Sequence, residues 1–491
     1  MRSVLAFDLG GTRFRAALVN RDGRVAHAST VALTVGAAAD PELWWQTLCR
    51  LVDDVAISAG ADFDAVAAVA IAGFTRTQIC LGDDDRVLRP AITWRDTQAE
   101  ALLPALRQAL PANHPETPAI NAFHPLARLY FLSRTEPDTL AKLAAVIEPK
   151  DFLNARLTGR VTIDVVAGAR LIAAAQPGPD GRSLLAAAEL PETIIPPALA
   201  PTDIVGHVLP NHSGALSRLT GKPVLAMAHD TWASVIGLGA LRPGFAYNLS
   251  GTTEVLGVLN EIAAPAEGLL TVDWSGGLTQ IGGPSQNGAD TLTWLIELLG
   301  HDGDPIGPAL DALLTAPRDP QPALFLPYLQ GERAPYWDPS LRGAFIGLNR
   351  RHQGADLAHA VIEGIAFLNR TVLARAEAAT GRQVTEIRFG GGGAANPRWC
   401  QVKADVTRRP VVVIDEAEPG LVGAAITAFA AIDHANLADL QATMVRTRAS
   451  YEPRPDHALA YDRLFTLFQS AEAALAPISR SLAAEALPCP A

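Results

Sequence analysis

Residues 4–12 read Val4-Leu5-Ala6-Phe7-Asp8-Leu9-Gly10-Gly11-Thr12, and residues 246–252 read Ala246-Tyr247-Asn248-Leu249-Ser250-Gly251-Thr252. With Asp8 aligned to Asn248, 240 positions further on, alanine, leucine, glycine and threonine coincide and Phe7 matches Tyr247. Each stretch is an apolar run closed by a Gly-Thr tip, and each leads into a second apolar run, Arg15 to Val19 and Val255 to Leu259. That pattern predicts strand, tight turn, strand, with Asn20-Arg21-Asp22-Gly23 as the next turn and a third strand from Arg24. Glycine at a turn tip lets backbone N–H groups approach an anion without side-chain obstruction. Either stretch alone reads equally as an ordinary hairpin. Two of them, each opening one half of the chain, predict two related domains facing a shared nucleotide, because domain interfaces are favoured ligand sites.

The length of 491 residues is too great for one ordinary core and fits two domains, with a boundary at the turn Arg242-Pro243-Gly244. The expected domains are therefore 1–243 and 244–491. Apolar residues make up 49% and charged residues 19%, a globular composition. The net charge of −11 argues against a nucleic-acid partner. It leaves nucleotide binding open, because local N–H groups and Mg²⁺ hold phosphates in an acidic protein. Cys49, Cys80, Cys400 and Cys489 lie far apart and fit neither a disulfide framework nor a zinc site, which points to a reducing compartment. No signal peptide or membrane span is expected, and the expected location is the cytoplasm.

Along the chain, Pro41 to Ala59 has helical spacing, and Ala65 to Ala72 is a buried strand that delivers Gly73-Phe74-Thr75-Arg76-Thr77-Gln78. Ile92 to Asp96 reads as a short strand, 121–171 as mostly helical and 176–223 as loop-rich surface. Pro223 to Ala228 is a strand ending in His229-Asp230-Thr231, followed by a helix from Trp232 to Leu241. Further on, Asp356 to Ala376 is a long helix, and Val384 to Phe389 a strand emptying into Gly390-Gly391-Gly392-Gly393-Ala394-Ala395-Asn396. A helix from Arg398, a strand Pro410 to Ile414, a helix Leu421 to Ile432 and a helical stretch from Tyr451 complete the chain. Four glycines in a row pack no core, so close backbone approach to a flat ligand or phosphate is expected there. Ligands of open α/β sheets sit beyond the carboxyl ends of strands, which marks the exits at Arg76, Trp94 and His229.

These residues resemble the FGGY family of carbohydrate kinases, within the actin/hexokinase/Hsp70-like ATPase superfamily. Asp8 to Thr12 resembles the family's first phosphate motif, Gly251-Thr252-Thr253 its second, and Gly391 to Asn396 its adenosine loop. Ile147 to Gly159 with Asp164, Gly331-Glu332-Arg333-Ala334-Pro335, and Gly343 to Leu348 followed by Asp356 to Glu363 resemble three further family stretches. Departures are Arg128 where Lys is usual, Phe131 in place of Trp, Gln98 where Arg is common, and His229 where Gly usually precedes the catalytic aspartate.

The resemblance implies an α/β fold of two ribonuclease H-like (actin-like ATPase) domains with a nucleotide and sugar cleft between them. It implies ATP and Mg²⁺ as cofactors, a small-molecule sugar or polyol as partner, and leaves a homodimer open. Asp230 is then the general base, although Asp also commonly caps a helix. Asp8 holds the metal, or else caps its own turn. Gly10, Gly11, Thr12, Arg13, Gly251, Thr252 and Thr253 take phosphate oxygens, and Gly391, Gly392, Gly393 and Asn396 the adenosine. Arg76, Thr77, Trp94, His229 and Asp230 face the sugar, while Phe74 and Phe123 are expected to pack. Pentuloses, xylulose above all, are the expected acceptors; glycerol, gluconate, deoxy-ketoses, other polyols and a sugar-independent ATPase are the alternatives.

Overall fold

The computed structural model describes residues 2–33, 39–274, 277–301, 306–415 and 417–485. It divides into two compact units, Met1–Gly237 with Glu418–Val445, and Leu238–Ala417 with Arg446–Ala491. The expected boundary at Gly244 falls just past the break after Gly237. The expectation of two uninterrupted halves needs correction, because the chain returns to the first unit at Glu418.

The first unit is built on a six-stranded sheet in the order Val25–Ala32, Arg13–Asn20, Ser3–Leu9, Val66–Gly73, Pro223–Leu225, Ile204–His207. Ser3–Leu9 is the inner strand, antiparallel to Arg13–Asn20 and parallel to Val66–Gly73. Its apolar run is continuous because both faces are covered, and Val4, Leu5, Ala6, Phe7 and Leu9 are all fully buried. The helix Pro41–Ala59 starts where Asp40 accepts from the Glu42 and Leu43 amides and Pro41 opens the first turn. It buries Trp44, Leu48, Leu51, Val52 and Val55 in the same core, and Phe74 meets Trp44 edge-on at 5.5 Å.

The second unit repeats the plan. Its seven strands run Leu270–Asp273, Thr279–Pro284, Glu254–Asn260, Phe245–Ser250, Glu386–Gly391, Val411–Ile414, Thr447–Tyr451. Phe245–Ser250 pairs antiparallel with Glu254–Asn260 and parallel with Glu386–Gly391, as Ser3–Leu9 does with its neighbours. The heptapeptide repeat therefore extends to the whole sheet, down to an antiparallel strand at the far edge of each. The helix Gly354–Thr380 is long and apolar enough to cross a membrane, but 78% of its apolar window is buried inside the fold, so the core accounts for its composition.

Other expectations need correcting. Only Ile92 of the stretch 92–96 pairs, in an isolated bridge to Gln78, and Thr93 to Asp96 is a turn. The 176–223 region is not all surface: Leu184, Leu185, Leu190 and Ile194 are buried, and Ile204–His207 edges the main sheet. Thr447–Tyr451 is a strand, so the last helix starts later, at Ala458.

Candidate active site

Asp8 lies one residue before the end of the inner strand of the first unit, and the antiparallel register places Arg15 directly across from it. Arg15 donates Nη1 to Asp8 Oδ2 at 3.2 Å, while its Nε lies 3.3 Å from Glu418 Oε2. The turn closes with Gly10 N–H donating to Arg13 O at 2.9 Å, leaving Thr12 and Arg13 exposed at the tip. The helix Pro419–Asp433 begins on top of Asp8, since a Cβ on Gly420 would stand 3.2 Å from the Asp8 carboxyl carbon. One guanidinium thus serves two carboxylates. Burial, with Glu418 adding to it and Arg15 opposing, pushes Asp8 up to about 6.

Asp230 opens the helix Asp230–Gly237 and accepts from the Thr231 amide at 2.6 Å and the Thr231 hydroxyl at 3.2 Å. Burial first, and then the negative charge of Asp8, push its carboxyl up to about 7. Its side chain keeps 34% of its surface open to solvent, so the group is reachable. The expectation that Asp230 caps its helix needs correction: Asp230 is the first helical residue, and the cap is His229, whose carbonyl accepts the Ala233 amide at 3.1 Å. Burial depresses the neighbouring His229 to about 4, with Arg76 and Lys150 adding to the effect and Asp164 opposing it. The neutral ring accepts the Trp232 amide on Nδ1 at 3.2 Å, which leaves the ring hydrogen on Nε2.

The strand exits expected to face an acceptor are brought together. Phe74 N–H donates to Leu9 O at 2.8 Å, and Gly73 bridges to His229 in parallel fashion. Trp94 is 40% exposed, with its indole nitrogen 3.8 Å from where a Gly11 Cβ would stand and the Arg95 guanidinium 4.7 Å from its ring centre. Arg76 is exposed and takes a left-handed backbone, φ 58°. Thr77 is different: it is fully buried, accepts the Trp94 amide on its hydroxyl at 3.1 Å and donates its own amide to Glu148 at 3.3 Å. It holds the site together from behind. Phe123, expected to pack, is 43% exposed.

Beneath these exits lies a buried charge cluster. Lys150 Nζ is 2.5 Å from Asp151 and 2.7 Å from Asp164, and Asp164 also accepts the Val166 and Ala167 amides at 2.8 Å. Opposite charge on both sides keeps Lys150 protonated despite complete burial. The sequence reading noted this stretch only as a resemblance.

In the second unit, Gly251 and Thr252 are exposed at the turn after Phe245–Ser250, and Gly251 N–H donates to Thr253 O at 2.9 Å. Asn248, the counterpart of Asp8, is fully buried and accepts from Lys403 Nζ at 2.6 Å, with Glu254 and Asn369 completing the shell. A buried ammonium lies against Asn248 and a guanidinium against Asp8, so the two loops are chemically distinct. The glycines of 390–393 divide by role. Gly391, φ 87°, lies so close to Ser250 O that a Cβ would stand 2.2 Å away, and Gly392 is open. Gly393 is buried against Trp399 and Phe389, so packing explains it. Asn396 caps the helix Pro397–Thr407 through its oxygen and donates to Asp311 at 2.6 Å.

Arg15 and Glu418 were missed by the sequence reading. Counting register back from the Gly10-Gly11-Thr12 tip finds Arg15, whereas no local signal points to Glu418.

The family model for the N-terminal domain of the FGGY family of carbohydrate kinases matches residues 3–237, and that for the C-terminal domain matches 246–432. The chain is similar to the xylulose kinase of Escherichia coli, 29% identical over 445 residues, 86% of this chain and 88% of the relative. It is also similar to the gluconokinase of Bacillus subtilis, 24% identical over 497 residues, 95% and 94% of the two chains. A solved xylulose kinase from Rhodospirillum rubrum superposes with TM-score 0.84 at 26% identity, covering 97% of this chain and all (100%) of the other.

Proposed function

The chain belongs to the FGGY family of carbohydrate kinases, and from that premise we propose that it transfers the γ-phosphoryl group of ATP to a hydroxyl of a pentulose such as xylulose. Asp230 carries the reading: it is an accessible carboxyl beside His229 and within charge range of Asp8, raised to about 7, where a general base works best at neutral pH. As the acceptor oxygen bonds to phosphorus, Asp230 takes its proton. Trp94 supports the apolar C–H face of the sugar, and Arg76 donates to its hydroxyls. His229, held neutral by burial, adds no positive charge next to Asp230. Gly10 to Arg13, Gly251, Thr252 and Thr253 take phosphate oxygens. Gly391, Gly392 and Asn396 take the adenosine.

The residues present fit Mg²⁺. Asp8 and Glu418 share the Arg15 guanidinium, and Asp230 lies within charge range of Asp8; burial first, and then a neighbouring carboxylate, raises Asp8 and Asp230, with Arg15 opposing at Asp8. Among the described residues no three acidic, His or Cys side chains form a closed metal cage. Mg²⁺ is commonly held by one or two carboxylates with water and phosphate oxygens completing its shell, and Asp8 would be the one to hold it. When bound, the ion offsets the charge spread over the phosphate oxygens.

The pentulose assignment is supported by relatives called xylulose kinase at 22–29% identity. Gluconate is the second reading, supported by the gluconokinases among the relatives and by Arg76, a guanidinium suited to a carboxylate. ADP release measured against D-xylulose, D-gluconate, glycerol, a deoxy-ketose and erythritol separates them. The expected result is the highest kcat/KM with D-xylulose, and a fall of about 10³-fold or more in kcat for Asp230→Ala. ADP release that no sugar stimulates would overturn the acceptor assignment, and full turnover in the variant would overturn the role of Asp230.

A further inference from the structure

The stretch Gly331-Glu332-Arg333-Ala334-Pro335 has no part in the chemistry above, yet it contains one of the most heavily hydrogen-bonded carboxylates of the second unit. Glu332 is almost completely buried. Its Oε2 accepts from the Ser285 hydroxyl at 2.8 Å and from Asn287 Nδ2 at 2.9 Å. Its Oε1 accepts from the Gln286 amide at 2.8 Å and the Arg333 amide at 2.7 Å. Three of the four donors lie in one short segment, Ser285 to Asn287, and Arg333 adds a fourth tie to it by donating Nη2 to Ser285 O at 2.9 Å.

That segment is the underside of the Gly251–Thr253 turn. Ser285 N–H donates to Glu254 O at 2.8 Å, Ala289 N–H to Gly251 O at 3.0 Å and Asp290 N–H to Thr252 O at 3.2 Å. Gly288 lies so close beneath the turn that a Cβ would stand 2.7 Å from the Thr253 carbonyl carbon and 3.0 Å from the Glu254 nitrogen. The turn's carbonyls are thereby drawn toward the segment. With the carbonyls held on that side, the peptide units at the tip have a fixed orientation, as a cradle of N–H groups for anions requires.

We infer that Glu332 is a positioning residue for the nucleotide: its carboxylate fixes Ser285–Gly288, and that segment fixes the turn Gly251–Thr253 against which phosphates bind. The inference rests on the reading of that turn as a phosphate loop. Glu332→Gln keeps the volume but replaces one acceptor oxygen with an NH₂ donor that faces two other donors. The segment then has to shift to relieve the clash of hydrogens, and the turn shifts with it. Because Glu332 touches neither sugar residues nor Asp230, its loss acts on nucleotide affinity.

The test measures ATP dissociation constants by calorimetry, KM for ATP and for sugar, and amide hydrogen exchange of residues 285–290. It compares the wild-type enzyme with Glu332→Gln, Glu332→Asp and Thr252→Val. The expected result for Glu332→Gln is an ATP Kd raised roughly tenfold, a sugar KM within about twofold of wild type, and faster exchange at Ala289 and Asp290. Glu332→Asp, which keeps two acceptor oxygens, falls between. Should Glu332→Gln fail to fold, Ser285→Ala removes one donor and moves ATP affinity the same way in a smaller step. Weaker ATP binding in Thr252→Val but not in the Glu332 and Ser285 variants overturns the positioning role alone. Unchanged ATP binding in all of them overturns the loop assignment and this inference with it.

Discussion

Arg128 is 2% exposed and donates Nη1 to Arg76 O at 2.6 Å and Nη2 to Asp96 O at 3.2 Å. Arg76 sits in the left-handed region at φ 58°, a conformation costing a non-glycine residue about 1–3 kcal/mol, and the bond to its carbonyl helps to hold it there. One planar fork therefore ties the loop that carries Arg76 to the turn that carries Trp94, and the Thr77 hydroxyl on the Trp94 amide is a second tie. A lysine offers a point charge on a flexible stem and cannot span two carbonyls in the same rigid way. Arg128→Met leaves both carbonyls without that donor at a cost of about 1–3 kcal/mol. The expected outcome is a sugar KM raised about tenfold with the ATP KM within about twofold, and Arg128→Lys intermediate. Steady-state kinetics decide this; equal changes in both KM values would mean a general loss of fold. Part of the candidate site's framework was legible at this scale. Asp8 and the two Gly-Thr tips stand in local patterns that report where a strand ends, and His229-Asp230 in one that reports where a helix starts, whereas Trp94 lies in a turn and not at a strand end. Thr77 and Gly393 were misplaced because local sequence does not say which residue at a strand exit turns inward. Glu418 was invisible because only the return of the chain brings it to Arg15.

The helices Asp230–Gly237 and Pro419–Asp433 cross at glycine on both sides. A Cβ on Gly237 would stand 1.8 Å from Pro419 O, and a Cβ on Gly423 1.7 Å from Ala233 O. Backbone meets backbone there, and the crossing seats Asp230 at the start of one helix and Gly420, against Asp8, at the start of the other. Gly423→Ala has no room without separating the helices. Overpacking of about 3 kcal/mol is expected, seen in thermal unfolding as a melting temperature lower by roughly 5–10 °C. A variant that melts with the wild type would show that the helices can part without cost. The crossing lies within the first unit, to which the chain returns at Glu418. Further ties to the returning segment are Gln441 Nε2 donating to Ile236 O at 2.8 Å and the tight approach of Gly23 to Met444 O. The sheets were legible from the Asp8/Asn248 repeat and the helix Pro41–Ala59 from its cap and spacing. The return was not, because a small-residue helix such as Leu421 to Ile432 advertises close packing without naming its neighbour.

Across the whole chain, ionisable groups are buried with a bias that makes stability depend on pH. Burial raises Asp8 to about 6 and both Asp230 and Glu472 to about 7, against roughly 4 for carboxyls in an unfolded chain. A folded-state value above the unfolded one means that the native protein binds more protons between those limits, so stability falls as pH rises through them. His229 and His359, both depressed to about 4, act in the opposite direction, but chiefly below the ordinary histidine value of roughly 6.5. Above about pH 6.5 that opposition fades as the histidines of the unfolded chain lose their remaining protons, and the raised carboxyls outweigh it, so the metal-free protein is expected to melt at a lower temperature at pH 8 than at 6.5. Asp230→Asn removes one of these ionisations and relieves Asp8 of the neighbouring charge. It is expected to match the wild type most closely at the acid end and to exceed it increasingly toward pH 8. The measurement is thermal unfolding in chelator at the two pH values, repeated with Mg²⁺ and ADP. A cation and nucleotide bound beside Asp8 should raise the pH 8 value more than the pH 6.5 value in the wild type. A gap between variant and wild type that does not change with pH would remove charge crowding at Asp8 and Asp230 as its cause, and with it the main physical argument for a metal at that place.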